Sequence, residues 1–442
     1  MPKAPTSRSI PKPTTQPCPD SARPRLSRRQ TSSSASQPDL DGQQTTTITP
    51  VNILACFRES SRPCANQGLV DKLKPLKEER FLLYGSKGLE VGKSGVERRA
   101  RTILTNILHG SIPGGHPKAI SYATAISVII GTPWKIRTAE QARTLPKVGE
   151  KIVTKIDEYL RTGEIDDAVR AANNPKVLAL KAMSAVHGVG HVIANTLYTK
   201  GLRSLEDMRK SKQWEREFQW HDDIQQKMPR HEVDSIHEFI KIQIEKVEPR
   251  ATTLLCGGYR RGKELSNDVD ILITYAEKDG KERGVLAKLV ERLSVKDGVL
   301  SLHTPATERT ITSNRPASSF DSLDKALIIF RHPANGTTRK RDHWRRVDLV
   351  VARWPQWGAA VVGWTGSTQF ERDIRLHARK KNLKFDSGGI HSRATGEVIQ
   401  AATEEDVFKV LGVPYLRKPP YGEGFGYVYG ADIVIILFHH SS

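Results

Sequence analysis

The spacing of apolar residues divides the chain into a helical first half and a second half that contains a sheet. From residue 122 to about residue 250, apolar residues recur at helical spacing, which predicts packed amphipathic helices. The same spacing predicts an earlier helix that starts at Leu69. Pro75 is expected to interrupt that helix, because proline removes a backbone donor and clashes with the preceding turn.

After residue 252 the pattern changes to short runs of β-forming residues separated by polar loops. Strands are predicted at 254–255, 269–273, 326–330 and 347–351. A mixed α/β stretch follows to about Tyr427. A helical half followed by a sheet-containing half predicts an α plus α+β architecture.

The charge of the chain is strongly positive. Of 442 residues, 69 are Lys or Arg and 49 are Asp or Glu, which gives a formal net charge of +20. Such an excess is typical of proteins that bind polyanions, and a protein with a basic tail is the alternative. Residues 1–50 are rich in Ser, Thr, Pro and Gln and predict a disordered basic tail. Its arginines at 23–29 fit a nuclear address, a DNA contact or a solvated tail.

Membrane, secreted and zinc-binding classes are not supported by the sequence. No apolar run reaches the roughly 18 to 20 residues that a membrane helix needs, and the start lacks a signal-peptide core. The four cysteines are scattered, without a C-x-x-C pair or His at zinc spacing. An intracellular protein in a reducing compartment is therefore expected.

Two glycine-containing turns lie between predicted helices of the first half. The turn at 145–149 ends on Gly149, and the turn at 187–190 contains Gly188 and Gly190. Glycine lets backbone N–H groups approach a phosphate at a helix N-terminus, where the helix dipole also favours an anion. This is the pattern of a helix-hairpin-helix, which binds a DNA backbone without reading bases. Ordinary helix packing explains one copy as well, but two copies in so basic a chain favour DNA.

The second half carries a glycine turn followed by paired acids. The turn Gly-Gly-Tyr-Arg-Arg-Gly occupies 257–262, and Asp268 and Asp270 follow it at strand spacing, which places both carboxylates on one side. Asp348 lies in a second strand-like run. Three carboxylates on adjacent strands suit two hard Mg²⁺ ions in phosphoryl transfer, and Arg261 can neutralise a triphosphate. A single Asp-x-Asp is more often a solvated strand end, so the prediction depends on the combination.

These motifs resemble the X family of DNA polymerases, the group of polymerases beta, lambda, mu and terminal transferase. The resemblance covers about residues 52 to 427 in the family's order and includes Gly-Trp-Thr-Gly-Ser at 363–367. It implies helix-hairpin-helix lyase-type and DNA-binding domains, then a nucleotidyltransferase palm with a mixed sheet and a small α/β C-terminal subdomain. The implied boundaries are 1–50 for the tail, 51–177 for the lyase-type domain with an insertion at 85–117, 178–246 for the DNA-binding subdomain, 247–355 for the palm, 356–428 for the nucleotide- and template-binding subdomain and 429–442 for an atypical tail.

The resemblance also assigns roles to residues of the second half. It implies that Asp268, Asp270 and Asp348 bind the catalytic metals and that Arg346 lies near the primer end. Contacts to the triphosphate are implied for Arg230, Gly258, Arg261 and Asn267, where Asn267 departs from the family's Gly or His. A monovalent cation (Na⁺ or K⁺) is implied at the carbonyls of Ser184, Val186 and Val189.

The first hairpin resembles the part of the family that removes a 5′-deoxyribose phosphate. Lys155 occupies the place of the lysine that forms a Schiff base, and Lys118, Tyr122 and Lys151 lie near the position of the 5′-phosphate. A lysine serves as a nucleophile if burial or neighbouring cations lower its pKa. The alternative is that Lys155 is an ordinary lysine of an amphipathic helix, and Lys147 replaces the usual Gly of the turn.

Gly363 and Trp364 resemble the mu and terminal-transferase branch, because beta and lambda carry Tyr-Phe there. Removing the side chain at position 363 leaves room for a ribose 2′-hydroxyl, so poor sugar discrimination is expected. Trp364 and Glu371 are expected to face the nascent pair, and Arg372 and Arg375 the template. A long polar loop at 306–324 also resembles this branch. The mixture of features fits a fungal-type polymerase IV.

The resemblance implies a template-directed DNA polymerase that fills short gaps with two Mg²⁺ ions, for which Mn²⁺ can substitute. Gapped or broken duplex DNA, dNTPs, rNTPs and end-joining factors are the expected partners, although no BRCT-like domain is expected before residue 50. A monomer that acts in the nucleus in end joining or base-excision repair is expected. Template-independent terminal transfer is the alternative activity, and a non-catalytic DNA-end-binding module is disfavoured because all three acids are present. The segments 85–117 and 429–442 are hypothesised to be translated unspliced sequence.

Overall fold

The structure of the protein is a computed structural model. It describes residues 51–58, 64–84, 117–275, 284–297, 300–304, 323–331 and 343–415. The predicted basic tail, most of the predicted insertion, most of the predicted loop at 306–324 and the tail after 428 lie outside these residues. No helix among the described residues is long and apolar enough to cross a membrane.

The first domain is a helical bundle. Its helices are α1 (Gln67–Tyr84), α2 (Pro117–Ile130), α3 (Ala139–Arg143), α4 (Glu150–Thr162) and α5 (Asp166–Ala172). Leu73, Ile129, Ile156 and Ile165 are fully buried in its core. The apolar faces predicted from the helical spacing therefore meet in one core.

Helix α1 continues through Pro75, so the prediction that this proline interrupts the helix is wrong. Proline inside a helix costs about 3 kcal/mol. Leu73 and Leu76 on either side are at most 1% exposed, and burial of each leucine contributes about 1.5–3 kcal/mol. The packing of the helix therefore outweighs the local preference of one residue.

A second helical region follows directly. It consists of α6 (Pro175–Ser184), α7 (His191–Thr199), α8 (Leu205–Arg209), α9 (Glu215–Phe218) and α10 (His221–Gln225). Its core also contains Leu82 from the end of α1, so α1 belongs to both helical regions. Helix α6 begins at Pro175, so the predicted boundary between 177 and 178 falls inside a helix.

The palm is built on a five-stranded sheet. Its elements are β1 (Met228–Pro229), α11 (Arg230–Glu245), β2 (Ala251–Leu255), α12 (Gly257–Arg260), β3 (Leu265–Ser266), β4 (Val269–Tyr275), α13 (Val285–Asp297), β5 (Leu300–Thr304), β6 (Asp324–Arg331) and β7 (Trp344–Val351). The strand order is β2-β4-β7-β6-β5, in which β4 and β7 run parallel and all other neighbours run antiparallel. The four predicted strands are confirmed, and β5 is an additional one.

Helix α11 packs against the palm sheet rather than against the second helical region. Its Val233, Ile236, Ile240 and Ile244 are fully buried in the same core as strands β4, β6 and β7. The palm therefore begins near Met228 in space, earlier than the predicted start at 247.

The C-terminal subdomain combines helices with a small sheet. Its elements are α14 (Trp357–Thr365), α15 (Thr368–Lys380), β8 (Leu383–Asp386), β9 (Gly389–Ser392), β10 (Val398–Ile399) and α16 (Glu404–Leu411). The strands form an antiparallel sheet in the order β10-β9-β8. A short 3₁₀ turn at Ala55–Phe57 also packs into this subdomain, although the sequence assigned residues 51–58 to the first domain.

Candidate active site

Three carboxylates meet at the edge of the palm where β4 and β7 lie side by side. Asp270 on β4 is directly opposite Asp348 on β7 in the parallel register. Asp268 lies just before β4. Arg346 Nη2 is 3.2 Å from Asp268 Oδ2 and 3.8 Å from Asp348 Oδ2, so one guanidinium joins the two outer acids.

Burial and neighbouring carboxylates raise the pKa of two of these acids, Asp270 and Asp348. Burial, and then the charges of Asp268 and Asp348, raise the pKa of Asp270 well above its usual value. Burial likewise raises the pKa of Asp348 to about 6, although Arg346 opposes this. Burial alone would lower the pKa of Arg346, but the three carboxylates outweigh it and raise that pKa. The cluster is therefore short of positive charge when all three acids are ionised.

The glycine turn after β2 brings its backbone against the middle acid. Gly257 has a φ of 56°, in the left-handed region that favours glycine. A Cβ atom at this position would lie 1.7 Å from Asp270 Oδ2. Cys256 N also donates a hydrogen bond of 2.8 Å to the Asp270 carbonyl. The turn and β4 are therefore held together by close backbone packing.

A polar cavity opens beside the acids. It is lined by Gly257, Gly258, Arg261, Lys263, Leu265, Ser266, Asn267, Asp268, Asp270, Trp364, Thr365, Gly366, Ser367, Thr368 and Glu371. The palm and the C-terminal subdomain therefore each contribute a wall of this cavity. Of the residues expected to contact a nucleotide, five line this cavity: Gly258, Arg261, Asn267, Trp364 and Glu371.

Lys263 is a cavity residue that the sequence reasoning missed. Burial, and then the charge of Arg261, lower the pKa of Lys263. A Cβ on Gly258 would lie 3.1 Å from Lys263 Cδ, so the side chain runs along the glycine turn. The signal was present, because Lys263 directly follows the Arg-Arg-Gly of the motif. Two cations, Arg261 and Lys263, therefore face the cavity from the turn.

Arg230 and Gly363 are expected nucleotide contacts that do not line the cavity. Arg230 Nη1 donates hydrogen bonds to the carbonyls of Tyr259 (2.9 Å) and Lys263 (3.0 Å), and its guanidinium stacks on the Tyr259 ring. Arg230 thus stabilises the backbone of the glycine turn instead of lining the cavity. Gly363 is buried within α14, one residue before Trp364.

The palm and the C-terminal subdomain are joined by a buried ion pair. Arg260 donates two hydrogen bonds to the Glu404 carboxylate, at 2.9 and 2.8 Å, and a third to Thr365 Oγ1 at 2.7 Å. Arg261 next to it donates to the Thr365 carbonyl. A planar guanidinium held by a bidentate carboxylate is a rigid contact, so it sets the spacing of the two cavity walls.

Glu371 and the two arginines near it lie on α15. Arg375 Nε donates to the Glu371 carbonyl at 2.8 Å, and its Nη2 lies 3.4 Å from Glu371 Oε2. Burial lowers the pKa of Arg375, and the Glu371 charge opposes this. Arg372 is half-buried on the same helix. The structure therefore places Glu371 in the cavity wall, with Arg375 beside it.

At the first hairpin, Lys155 is held by two acids. Its Nζ lies 2.6 Å from Asp167 Oδ2 and 3.3 Å from Glu158 Oε2. The hydrogen bond that Lys155 donates to Asp167 is the largest influence, and it raises the pKa of Lys155. The lowered pKa that a nucleophilic lysine requires is therefore absent in this arrangement. Tyr122 lies close enough for the Lys155 charge to act on it.

The other expected DNA contacts of the first hairpin lie on its surface. Gly149 is the N-cap of α4, Lys151 is exposed in its first turn, and Lys118 is exposed in α2. Lys147 has a φ of 64°, a left-handed conformation that costs a residue with a side chain about 1–2 kcal/mol. The turn keeps the backbone shape that glycine would favour.

The second hairpin has the same form. Gly188 has a φ of 80°, and Gly190 is the N-cap of α7. The Val186 carbonyl, one of the three expected cation ligands, accepts a hydrogen bond of 2.9 Å from Val189 N within the turn. Ser184 Oγ and His187 Nε2 are buried without a hydrogen-bond partner among the described residues. Burial, and then the charge of Arg346, lower the pKa of His187 to about 4, so this hairpin lies near the acid cluster.

Among the described residues, no group of three or more His, Cys, Asp or Glu side chains is arranged to hold a metal ion by itself. The donor set at the acid cluster nevertheless suits Mg²⁺, which takes one or two carboxylates and completes its shell with water and substrate phosphates. The raised pKa values of Asp270 and Asp348 also indicate that a cation would relieve their repulsion.

Comparison with known proteins supports the resemblance to the X family that the sequence motifs indicate. Family models match for the helix-hairpin-helix domain at 104–165, the DNA polymerase beta palm at 227–353 and the DNA polymerase beta thumb at 360–420. Together these matches cover more than half of the chain. The chain belongs to the X family of DNA polymerases. The palm match begins beside β1, and the helix-hairpin-helix match includes the last part of the predicted insertion.

Relatives in the X family span several branches. The chain is 33% identical to human DNA-directed DNA/RNA polymerase mu, over 70% of this chain and 65% of the relative. It is 29% identical to Xenopus laevis DNA nucleotidylexotransferase, over 68% and 63%, and 28% identical to Rattus norvegicus DNA polymerase lambda, over 70% and 53%. The matches thus span less than two thirds of the length of these relatives.

Proposed function

We propose that the protein is a DNA-directed DNA polymerase that adds nucleotides to a 3′-hydroxyl and fills short gaps in DNA. The observation that carries this proposal is the parallel pairing of Asp270 with Asp348 beside a cavity that Arg261 and Lys263 line with positive charge. A triphosphate bound by the two cations would lie in the same cavity as Asp268 and Asp270. Helix-hairpin-helix turns and the palm family match support DNA as the second substrate.

Each residue of the site has a defined task in this proposal. Arg261 and Lys263 neutralise the triphosphate, and the Gly257–Gly258 backbone lets it approach. Asp268, Asp270 and Asp348 would hold two Mg²⁺ ions, or Mn²⁺ in their place. When bound, these ions supply activation of the primer hydroxyl and charge stabilisation at phosphorus. Arg346 pairs with Asp268 and Asp348 and so orients both carboxylates.

Single-nucleotide incorporation tests this function. Full-length protein is given Mg²⁺ and a duplex with a one-nucleotide gap and a 5′-phosphate, with each dNTP and rNTP separately. Templated insertion is expected, and chelation of the metal is expected to abolish it. Asp348→Ala should abolish extension while DNA binding in a mobility-shift assay stays within a few fold. Comparable turnover by this variant would refute the site assignment.

The same assay addresses the choice of sugar and the need for a template. Gly363 is buried within α14 beside Trp364, which lines the cavity, and the proposal of ribonucleotide insertion rests on the resemblance of this Gly-Trp pair to the mu and terminal-transferase branch. The name of the human relative, a DNA/RNA polymerase, points the same way. Insertion of deoxynucleotides alone would refute the proposed tolerance of ribonucleotides. The second candidate, template-independent terminal transfer, is favoured by the nucleotidylexotransferase relatives and is distinguished by omitting the template strand.

Removal of a 5′-deoxyribose phosphate by Lys155 is proposed as a secondary activity that needs a rearrangement. Asp167 and Glu158 keep the amine protonated, so DNA binding would have to displace them before Schiff-base chemistry. Borohydride trapping on an incised abasic duplex tests this step. A trapped band that persists in Lys155→Ala would place the nucleophile elsewhere.

The cellular setting is proposed from the substrates. A monomeric enzyme that fills gaps or joins ends would act in the nucleus, in end joining or base-excision repair, and the arginines at 23–29 support a nuclear address. A monovalent cation at the carbonyls of Ser184, Val186 and Val189 would bind the primer strand. Comparing DNA affinity in Na⁺, K⁺ and a bulky organic cation at equal ionic strength tests that site.

A further inference from the structure

Residues Val51 to Arg58 connect two parts of the molecule that are far apart in sequence. Val51 packs against the core of the first helical domain. Leu54 and Cys56 are buried in the core of the C-terminal subdomain, and Phe57 packs beside them. An eight-residue segment therefore contributes apolar side chains to two separate cores. We call this segment the strap.

Polar contacts fasten the strap to α15 of the C-terminal subdomain. Asp373 is only 6% exposed, and its Oδ2 accepts a hydrogen bond of 2.7 Å from Ala55 N. Gln369 Nε2 donates to Asp373 Oδ1 at 3.0 Å. Phe57 adds an edge-on contact with the His377 ring, whose centroid is 5.0 Å away. One buried carboxylate thus joins the strap to the helix that carries Glu371 and Arg375.

Arg58 fastens the other end of the strap to α2 of the first domain. Its Nη2 donates to Ser127 Oγ at 2.8 Å, and its Nη1 donates to the Asn52 carbonyl at 3.1 Å. A Cβ on Gly131 would lie 2.9 Å from Arg58 Cδ, so the side chain packs closely along α2. Burial lowers the pKa of Arg58, and the Asp373 charge opposes this, so the two contacts are electrostatically linked.

We propose that the strap and Asp373 position α15 against the first helical domain and so set the preference of the enzyme for short gaps. This inference rests on the proposed function. The resemblance to the X family implies that the first domain holds the 5′-phosphate side of a gap and that α15 faces the template, so the distance between them would decide how long a gap fits. Asp373 is a positioning residue, because it acts through the strap and α15 rather than on the substrate.

The test compares two substrates in the full-length protein. One is a one-nucleotide gap with a 5′-phosphate, and the other is the same primer–template without the downstream strand. Arg58→Ala and Asp373→Ala are each expected to lower the preference for the gapped substrate on the order of tenfold, or about 1.4 kcal/mol. Extension of the open primer–template by Arg58→Ala should stay within about twofold of the unaltered protein. Arg393→Ala, an exposed arginine that donates to the Leu383 carbonyl, is the control and should change neither rate.

Coupling between the two polar attachments of the strap, Arg58 to α2 and Ala55 to Asp373, gives a second criterion. Because Arg58 and Asp373 act through one segment, the double variant should lose no more gap preference than the stronger single variant. An unchanged preference in Arg58→Ala, or equal losses on both substrates, overturns the proposal. Equal losses would mean that the substitutions harm the site in general.

Hydrogen exchange on the DNA-free protein tests the strap without relying on activity. Arg58→Ala should speed amide exchange in both α2 and α15, because each loses the same tether. Unchanged exchange in either helix overturns the strap. If the unaltered protein extends neither substrate, the proposed function fails, and this measurement still decides whether the strap holds the two parts together. Because the exchange measurement uses Arg58→Ala, it also tests the strap if Asp373→Ala does not fold.

Discussion

Gly257 offers a direct test of how closely the glycine turn and the acid cluster are packed. Substitution by alanine does two things at this position. The φ of 56° costs an alanine about 1–2 kcal/mol of stability. The new Cβ would lie 1.7 Å from Asp270 Oδ2, and Cβ contacts under 3.0 Å essentially do not occur. The carboxylate must therefore withdraw by about 1.3 Å, since the turn backbone is held by Cys256 N on the Asp270 carbonyl.

The displacement predicts a large loss of activity. A misplacement of about 1 Å in a catalytic constellation costs on the order of 100-fold in rate, or roughly 2.7 kcal/mol. Gly262→Ala is a matched control, because Gly262 also has a positive φ, 81°, but a Cβ there meets nothing within 4 Å. Both variants should lose about 1–2 kcal/mol of stability to the positive φ, Gly257→Ala should lose more through its clash with Asp270, and only Gly257→Ala should lose the activity.

Single-turnover incorporation on the gapped duplex, together with thermal unfolding, measures both effects. The expected result is at least about 100-fold slower incorporation by Gly257→Ala and a change within a few fold for Gly262→Ala. Equal losses of incorporation rate in the two variants would mean that backbone strain alone causes the effect. Full activity in a folded Gly257→Ala protein would show that Asp270 is not needed where the structure places it, and would refute the reasoning.

Three further perturbations follow from single contacts. Lys147→Gly should raise the free energy of unfolding by up to about 1 kcal/mol, measured by chemical denaturation, because it relieves a left-handed residue; a loss of stability would contradict this. Lys263→Ala should raise the KM for the incoming nucleotide on the order of tenfold, whereas an unchanged KM would remove Lys263 from the triphosphate site. Asp167→Asn removes the negative charge from the partner whose hydrogen bond most raises the pKa of Lys155, so that pKa should fall. The pH at which borohydride trapping reaches half its maximum should then move down, and an unmoved midpoint would show that Asp167 does not control the protonation of Lys155 during the reaction.

Local spacing was enough to predict the elements and the acidic residues of the site. Short runs of β-forming residues at 269–273 and 347–351 identified two buried strands, and each contains one acid, Asp270 or Asp348. The two hairpin turns were recognisable because each has a glycine directly before a helix, Gly149 and Gly190, where the backbone N–H groups stay open to a phosphate. The sequence by itself therefore determined the order of helices and strands, the α plus α+β class and the resemblance to the X family.

Only the tertiary structure decided which of these residues meet. Asp270 and Asp348 face each other because β4 and β7 pair in parallel, and no local pattern encodes that register. Lys155 meets Asp167 across the turn between two helices, which raises a pKa that the proposed chemistry needs lowered. The Ala55 amide reaches Asp373 across 318 positions of the chain. The physical reason is the same in each case: spacing along the chain sets which face a side chain occupies, whereas its partner is set by packing between distant elements.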